Sequence, residues 1–167
     1  MEKATWQDLR KLRGIANYQF GKHLGDELFK GSVEVTRSGK TNKLRLIFRD
    51  GKLISTLRAR DGLLALTNEG ASIILESMKK PPHLVEIRRD VQELIREGRN
   101  VFAKHVVKAD PWIRPQDEVI VVNDRRELLA VGRAVLTGSE MTQFKRGVAV
   151  KTRRGVGAHA IDLSDHS

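Results

Sequence analysis

Apolar residues near the start of the chain recur at steps of three and four, which is the pattern of an amphipathic helix. Within residues 5–20, the predicted apolar side consists of Trp6, Leu9, Leu12, Ile15, Ala16 and Phe20. Thr5 stands where a hydroxyl can cap the first turn, and Gly21 interrupts the pattern. The sequence therefore predicts a first helix that packs one side against a core.

Short alternating segments follow and predict strands. They lie at residues 33–37, 44–48 and 53–57, and Asp50-Gly51 forms a two-residue turn between the last two. A second helix is predicted to begin at Thr67 or Asn68. The order helix, three strands, helix predicts a compact α+β unit.

Consecutive prolines then mark a boundary. Pro81 and Pro82 lie in residues 79–83, and prolines stop a helix and stiffen an extended connection. We place the domain boundary there. An α+β domain is thus predicted for residues 1–80, a second domain for residues 84–155, and a tail, loose at its end, for residues 156–167.

Strands dominate the second half. A strand at residues 84–88 precedes a helix that Asp90 is expected to cap and Gly98 to end, because glycine tolerates a positive φ. Further predicted elements are strands at 101–107, 118–123, 128–136 and 148–152, and a helical turn at 139–144. Short strands at roughly ten-residue spacing, with one early helix, predict a small mixed β-barrel.

Charge narrows the class of partner. The chain has 167 residues and a net charge of +10, which favours a polyanion. No apolar stretch approaches the roughly 20 residues that span a bilayer, so we expect nucleic acid, no membrane, and a cytoplasmic location. Residues 1–80 carry 16 Lys and Arg against 9 Asp and Glu. This excess favours a secondary surface for nucleic acid there, without showing which charges converge.

No residue pattern indicates catalysis. The chain has no cysteine, and its five histidines lack the spacing of metal ligands. Residues 38–41 (SGKT) lack the upstream glycine of a phosphate-binding loop. We therefore predict a protein that is not an enzyme and has no catalytic residue, metal or cofactor.

Aromatic residues are few, which favours recognition of the backbone and shape of a nucleic acid over stacking on its bases. For Trp112, in a proline-flanked loop, exposure to solvent is one alternative, but we expect it to pack as an anchor of that loop.

Several longer segments carry a family resemblance. In the second half they are residues 97–104 (EGRNVFAK), 109–119 (ADPWIRPQDEV), 128–134 (LLAVGRA) and 146–151 (RGVAVK). Together they resemble a PUA domain, the RNA-binding fold of pseudouridine synthases and archaeosine transglycosylases. In the first half, residues 15–22 (IANYQFGK), 58–63 (RARDGL) and 66–71 (LTNEGA) resemble the domain before the PUA module of archaeal archaeosine tRNA-guanine transglycosylase.

This resemblance implies RNA binding without guanine exchange. The catalytic barrel of that family lies upstream of the matching region, and it uses an aspartate nucleophile and a zinc ion held mainly by cysteines. No such barrel is expected in this chain, and it has no cysteine.

The resemblance also places candidate contact residues. In PUA domains the corner after Gly98 borders the RNA cleft, although Gly98 is also explained simply as a helix cap. The candidate RNA-binding residues are Arg96, Arg99, Asn100, Lys104, His105, Lys145, Arg146, Lys151, Arg153 and Arg154.

For two pairs of these candidates, the predicted strands determine which way the side chains point. Lys104 and His105 are neighbours in a predicted strand, so their side chains should point to opposite faces, and His105 is equally consistent with a partly buried strand residue. Lys151 and Arg153 should share a face and can contact successive phosphates. The alternative for that pair is a solvated edge strand whose charges prevent aggregation.

Three functions remain open. The first is a non-catalytic protein that binds structured RNA, tRNA above all. The second is an accessory RNA-binding subunit of a split RNA-modifying enzyme, with a separate catalytic chain as partner. The third is an adaptor in translation or ribosome assembly.

Overall fold

Residues 1–158 are described by the structure, a computed structural model, in which the chain divides after Pro82 into two units. The first unit, all of it described, contains β1 (Glu2–Lys3), α1 (Trp6–Phe20), α2 (Leu24–Leu28), β2 (Val33–Arg37), β3 (Leu44–Arg49), β4 (Lys52–Leu57), β5 (Leu64–Leu66) and α3 (Asn68–Ser77). Its five strands form one antiparallel sheet in chain order. The predicted helices and strands are present, and β1, α2 and β5 are additional.

A reciprocal pair of hydrogen bonds fixes the start of α1. The Asp8 N–H donates to Thr5 Oγ1 at 3.0 Å, and the Thr5 N–H donates to the Asp8 carboxylate at 2.9 Å. Burial by itself would raise the pKa of Asp8, but hydrogen bonds from Arg37 and Thr5 outweigh it and hold that pKa below its ordinary value. Leu12 and Phe20 are buried as predicted, whereas Trp6 is 68% exposed, so its assignment to the core side was wrong.

Gly14 lies inside α1 with open space around its α-carbon. A β-carbon added there meets nothing within 4 Å. Replacing Gly14 with alanine is expected to raise the free energy of unfolding by about 0.5–1 kcal/mol, because glycine loses more backbone entropy than alanine in a helix. Urea unfolding measures this.

Gly25 provides the contrast, because its added β-carbon would lie 2.3 Å from the Arg13 carbonyl oxygen. Gly25→Ala should lower stability in the same assay. A Gly14→Ala variant less stable than the parent protein would contradict the prediction.

The second unit is built mainly of strands. Its described elements are β6 (Leu84–Ile87), a 3₁₀ turn (Arg89–Val91), α4 (Gln92–Arg96), β7 (Val101–Phe102), a second 3₁₀ turn (Ala103–His105), β8 (Val106–Ala109), β9 (Glu118–Val122), β10 (Leu128–Ala134), α5 (Gly138–Gln143) and β11 (Val148–Gly155). Within residues 83–158 the strands follow the order β7-β11-β10-β9-β6-β8, with β6 and β9 parallel and the other pairs antiparallel. The predicted small mixed β-barrel after an α+β domain is thus confirmed.

Alternating residues of the strands fill the barrel. Val119 and Val121 of β9 join Leu129 of β10 and Val150 of β11 in one buried apolar cluster. α4 contributes Ile95 to the same cluster. The backbone of α4 also passes very close to β11, since a β-carbon on Gly155 would lie 2.1 Å from the Arg96 carbonyl oxygen.

Two predictions for the ends of the helix in the second unit were tested by the structure. Gly98 has φ +102°, and its N–H donates to the Ile95 carbonyl oxygen at 3.0 Å, so it ends the helix as predicted. Asp90 does not cap the helix. Its carboxylate accepts hydrogen bonds from Arg88, and Val91 precedes α4 without a side-chain cap.

The predicted strand at residues 101–107 is interrupted by the 3₁₀ turn Ala103–His105. Lys104 and His105 therefore lie in a turn, and the expectation that they alternate across a strand was wrong. The last strand continues to Gly155 instead of ending at residue 152. Of the predicted tail, residues 159–167 lie outside the described residues. Among residues 1–158, no helix combines the length and apolar character needed to cross a membrane.

Candidate nucleic-acid interface

Two predicted contact segments run side by side at one edge of the barrel. β7 pairs with β11 through Phe102 with Val148 and Val101 with Val150. Beyond the pairing, the Thr152 N–H donates to Asn100 Oδ1 at 3.0 Å. Residues 96–105 and 145–154, which contain all ten candidates, are thereby brought next to each other.

One group of exposed cations lies where the 3₁₀ turn meets the loop before β11. The Ala103 N–H donates to the Gly147 carbonyl oxygen at 2.9 Å, which holds the turn against the loop. Lys104 on the turn and Lys145 and Arg146 on the loop are exposed. We call these three residues the edge cluster. Such a cluster attracts phosphate groups, with Lys acting as a point charge and Arg able to bind bidentately.

An aromatic pair lies next to the edge cluster. Phe102 is exposed, and its ring meets the His105 imidazole edge-on, with centroids 6.2 Å apart and planes at 89°. The His105 ring is partly buried. Burial lowers the pKa of His105 below its ordinary value, and the positive charges of Lys104 and Arg88 lower it further.

This lowered pKa predicts a pH dependence of stability. Between the folded-state pKa and the ordinary value of about 6.5, the unfolded chain binds more protons than the folded chain, so stability should fall as the pH falls through that interval. His105→Gln should remove this dependence. Urea unfolding from about pH 7 to 5 on both proteins measures the difference. A His105 NMR titration midpoint at or above 6.5 would contradict the prediction.

Arg153 is paired with a buried carboxylate of the barrel. Its guanidinium donates two hydrogen bonds to the Glu118 carboxylate, at 2.9 and 2.6 Å. The Glu118 side chain is 1% exposed and that of Arg153 is 39% exposed. This ion pair gives Arg153 a structural role in the barrel. The neighbouring Lys151 is exposed and lies opposite Arg133 of β10.

The remaining candidates differ in exposure. Arg99 is exposed, Arg154 is partly buried, and Arg96 lies 3.5 Å from Glu93 in an ion pair. The side-chain oxygen of Asn100 accepts a hydrogen bond from the backbone of β11. Apart from Arg153 in its ion pair, the exposed candidate cations are therefore Arg99, Lys151 and the edge cluster.

Three exposed aromatic residues of the second unit were not predicted as candidates. Trp112 is 80% exposed, so the expectation that it packs as an anchor was wrong. The loop is instead held by its backbone, because the Trp112 N–H donates to Asp110 Oδ1 at 2.9 Å. The others are Phe102 and Phe144. The position of each directly before a basic segment was the available signal. Within residues 1–158, no three side chains of metal-binding type come together.

Comparison with protein families now identifies both units. Residues 83–156 match the PUA domain, and residues 10–81 match the patch-forming domain C2 of tRNA-guanine transglycosylase. The chain combines a C2 domain with a PUA domain. The resemblance seen in the sequence is confirmed, and the exposed cations of the barrel edge belong to a PUA domain.

Curated relatives match both domains together. The tRNA-guanine(15) transglycosylase of Thermococcus kodakarensis is 45% identical over 157 residues, which are 93% of this chain and 27% of that protein. The enzyme of the same name from Methanobrevibacter smithii is 42% identical over 89% of this chain and 23% of its own length. The chain thus spans about a quarter of the length of these archaeal relatives.

Solved structures share the fold over nearly the whole chain. A hypothetical protein of Pyrococcus horikoshii has a TM-score of 0.77 at 22% identity, covering 99% of this chain and 98% of its own. A conserved PUA domain protein of Thermoplasma acidophilum has a TM-score of 0.68 at 20% identity, covering 95% of each chain. At these identities the likeness concerns the fold.

Proposed function

We propose that this protein binds structured RNA, tRNA above all, and that it does so in the cytoplasm without catalysing a reaction. The observation that carries the proposal is the edge cluster, which presents three exposed cations on a PUA domain. The relatives named as tRNA-guanine(15) transglycosylases support tRNA as the RNA.

Recognition through this surface would use phosphate and ribose more than base edges. Lysine and arginine supply charge and donors to phosphates but carry no sequence information when they bind there. Structured RNA is recognised largely through its shape and backbone. The Phe102 ring beside His105 offers one stacking surface for a base at the end of a stem.

A matched pair of double variants tests this proposal. Lys104→Gln with Arg146→Gln removes two exposed charges from the edge. We expect it to weaken tRNA binding about tenfold near physiological salt, because each lost phosphate contact removes counterion release. The slope of log K against log salt should become less steep by roughly 1.5. Filter binding or anisotropy at several salt concentrations measures both quantities.

The control removes the same charge elsewhere on the barrel. The control variant combines Arg89→Gln with Arg125→Gln. Both residues are next to Asp124, whose carboxylate pairs with Arg89. Exposed ion pairs contribute little to stability, so the fold should be kept. Equal losses of affinity in both variants, or a tRNA affinity independent of salt, would refute the placement of the interface.

A second candidate function is an accessory subunit of a split RNA-modifying enzyme. It is favoured by the joint match of both domains to tRNA-guanine(15) transglycosylases. Co-purification with a transglycosylase shortened by this region, together with restored guanine exchange, would support it. Cross-linking followed by sequencing of the bound RNA distinguishes these two functions from a third, an adaptor in translation or ribosome assembly. The adaptor would be cross-linked to ribosomal RNA instead of tRNA.

A further inference from the structure

The exposed side of α1 carries two large aromatic rings. Trp6 is 68% exposed and Tyr18 is 83% exposed. They stand in one row with Arg10 and Gly14, and this row slants around the exposed side of the helix because each step of four residues turns by about 40°. A shallow groove of about 530 Å³ runs along this side, and it is lined by Trp6, Gln7, Arg10, Lys11, Gly14, Ile15, Tyr18 and Leu63. We call it the α1 groove.

The chemistry of the α1 groove favours an anion that also has flat apolar faces. The Arg10 guanidinium lies over the Trp6 ring, 5.6 Å from its centroid. Lys11 adds a second exposed cation. Among the described residues that line the groove, none is acidic. Exposed rings next to arginine are the combination that proteins use to stack bases and hold phosphates.

The spacing suits several nucleotides in a row. Twelve residues separate Trp6 from Tyr18, which is roughly 18 Å along a helix. Gly14 lies between the rings, and an added β-carbon there would meet nothing within 4 Å, so the floor is open. Bases inside a duplex are covered by their neighbours, so only unpaired nucleotides can stack on both rings.

We propose that the α1 groove binds unpaired nucleotides of the RNA partner, with bases stacked on Trp6 and Tyr18 and phosphates held by Arg10 and Lys11. This inference rests on the proposed function and adds a separate RNA contact on the C2 domain. A protein partner would need acidic groups placed opposite both cations, whereas RNA supplies a phosphate at every nucleotide.

Tryptophan fluorescence reports directly on this groove. The chain has two tryptophans, so Trp112→Phe leaves Trp6 as the sole reporter. Titration of the full chain with a uridine hexanucleotide should quench Trp6 saturably, and an RNA duplex of the same length should not. The reciprocal variant, Trp6→Phe, keeps only Trp112 and should show no saturable quenching by the hexanucleotide. Absence of quenching at Trp6 would overturn the proposal.

A matched pair at Gly14 separates RNA from protein as the occupant. Gly14→Lys and Gly14→Glu both place a long side chain in the groove, and neither is expected to lower Tm, because the site is open and helical. If RNA binds there, the lysine variant should bind the hexanucleotide at least about fivefold more tightly than the glutamate variant. Equal, parent-like RNA affinity in both variants would overturn the proposal and leave a protein surface in its place.

Failure here is distinguishable from failure of the proposed function. Trp6→Leu with Tyr18→Leu should weaken tRNA binding by about fivefold or more, the contribution expected from base stacking. If this variant binds tRNA normally while the Lys104 and Arg146 double variant does not, the α1 groove is excluded and the PUA interface stands. If neither variant changes the affinity for tRNA, both proposals fail.

Discussion

Replacing Gly155 with alanine is expected to destabilise the PUA domain by about 3 kcal/mol or more. The added methyl group would lie 2.1 Å from the Arg96 carbonyl oxygen and 2.6 Å from that of Ile95. Both atoms belong to the backbone of α4, which cannot yield as a flexible side chain does. The helix or β11 must therefore move. Chemical denaturation with a probe in the second unit measures the loss.

Gly147 is the matched control at the other end of β11. It has φ +94°, but an added β-carbon there would meet nothing within 4 Å. Gly147→Ala should therefore lower the free energy of unfolding by only about 1 kcal/mol, the cost of placing alanine at a positive φ. If the two alanine variants are equally stable, steric closeness between α4 and β11 is not what requires glycine at position 155.

Replacing Arg153 with alanine is expected to lower the free energy of unfolding by about 3 kcal/mol, the low end for breaking a buried ion pair. The Glu118 carboxylate is 1% exposed and would lose two charge-assisted hydrogen bonds. The low end applies because the Arg153 side chain itself is 39% exposed. Urea unfolding at neutral pH is the measurement.

Lys151→Ala serves as the control, because it removes an exposed cation two residues away on the same strand. It should change stability by no more than about 0.5 kcal/mol. Comparable stability of the Arg153 and Lys151 variants would contradict a structural role for the ion pair. Charge reversal at Arg153 consequently tests folding as much as RNA binding, whereas Lys151 tests RNA binding alone.

Periodicity in the sequence was sufficient for most of the fold. The apolar steps of residues 5–20 and the alternation at residues 33–37 predicted elements that the structure contains, because one side of each is buried. The strand Leu64–Leu66 is three residues long and buried throughout, so it has no alternation to detect. The turn at Ala103–His105 was missed because no glycine or proline marks it.

The sequence predicted where the candidate site lies, but not how its side chains interact. Resemblance to PUA domains led to both segments that meet at the barrel edge. It did not reveal the ion pair of Arg153, because Glu118 lies 35 residues away in the chain. A single carboxylate in the otherwise apolar strand Glu118–Val122 was the signal that a cation had to face it. Exposure of Trp6 and Trp112 depends on tertiary packing, which a local pattern does not contain.

The parallel pairing of β6 with β9 affects how the barrel is made during synthesis. Leu84 of β6 lies opposite Ile120 of β9, so this pairing has to wait for a strand encoded far downstream. Nascent chains emerge from the ribosome N-terminus first, and long-range pairings form late. The C2 domain, whose sheet follows chain order, can fold on the ribosome while the PUA barrel is still open.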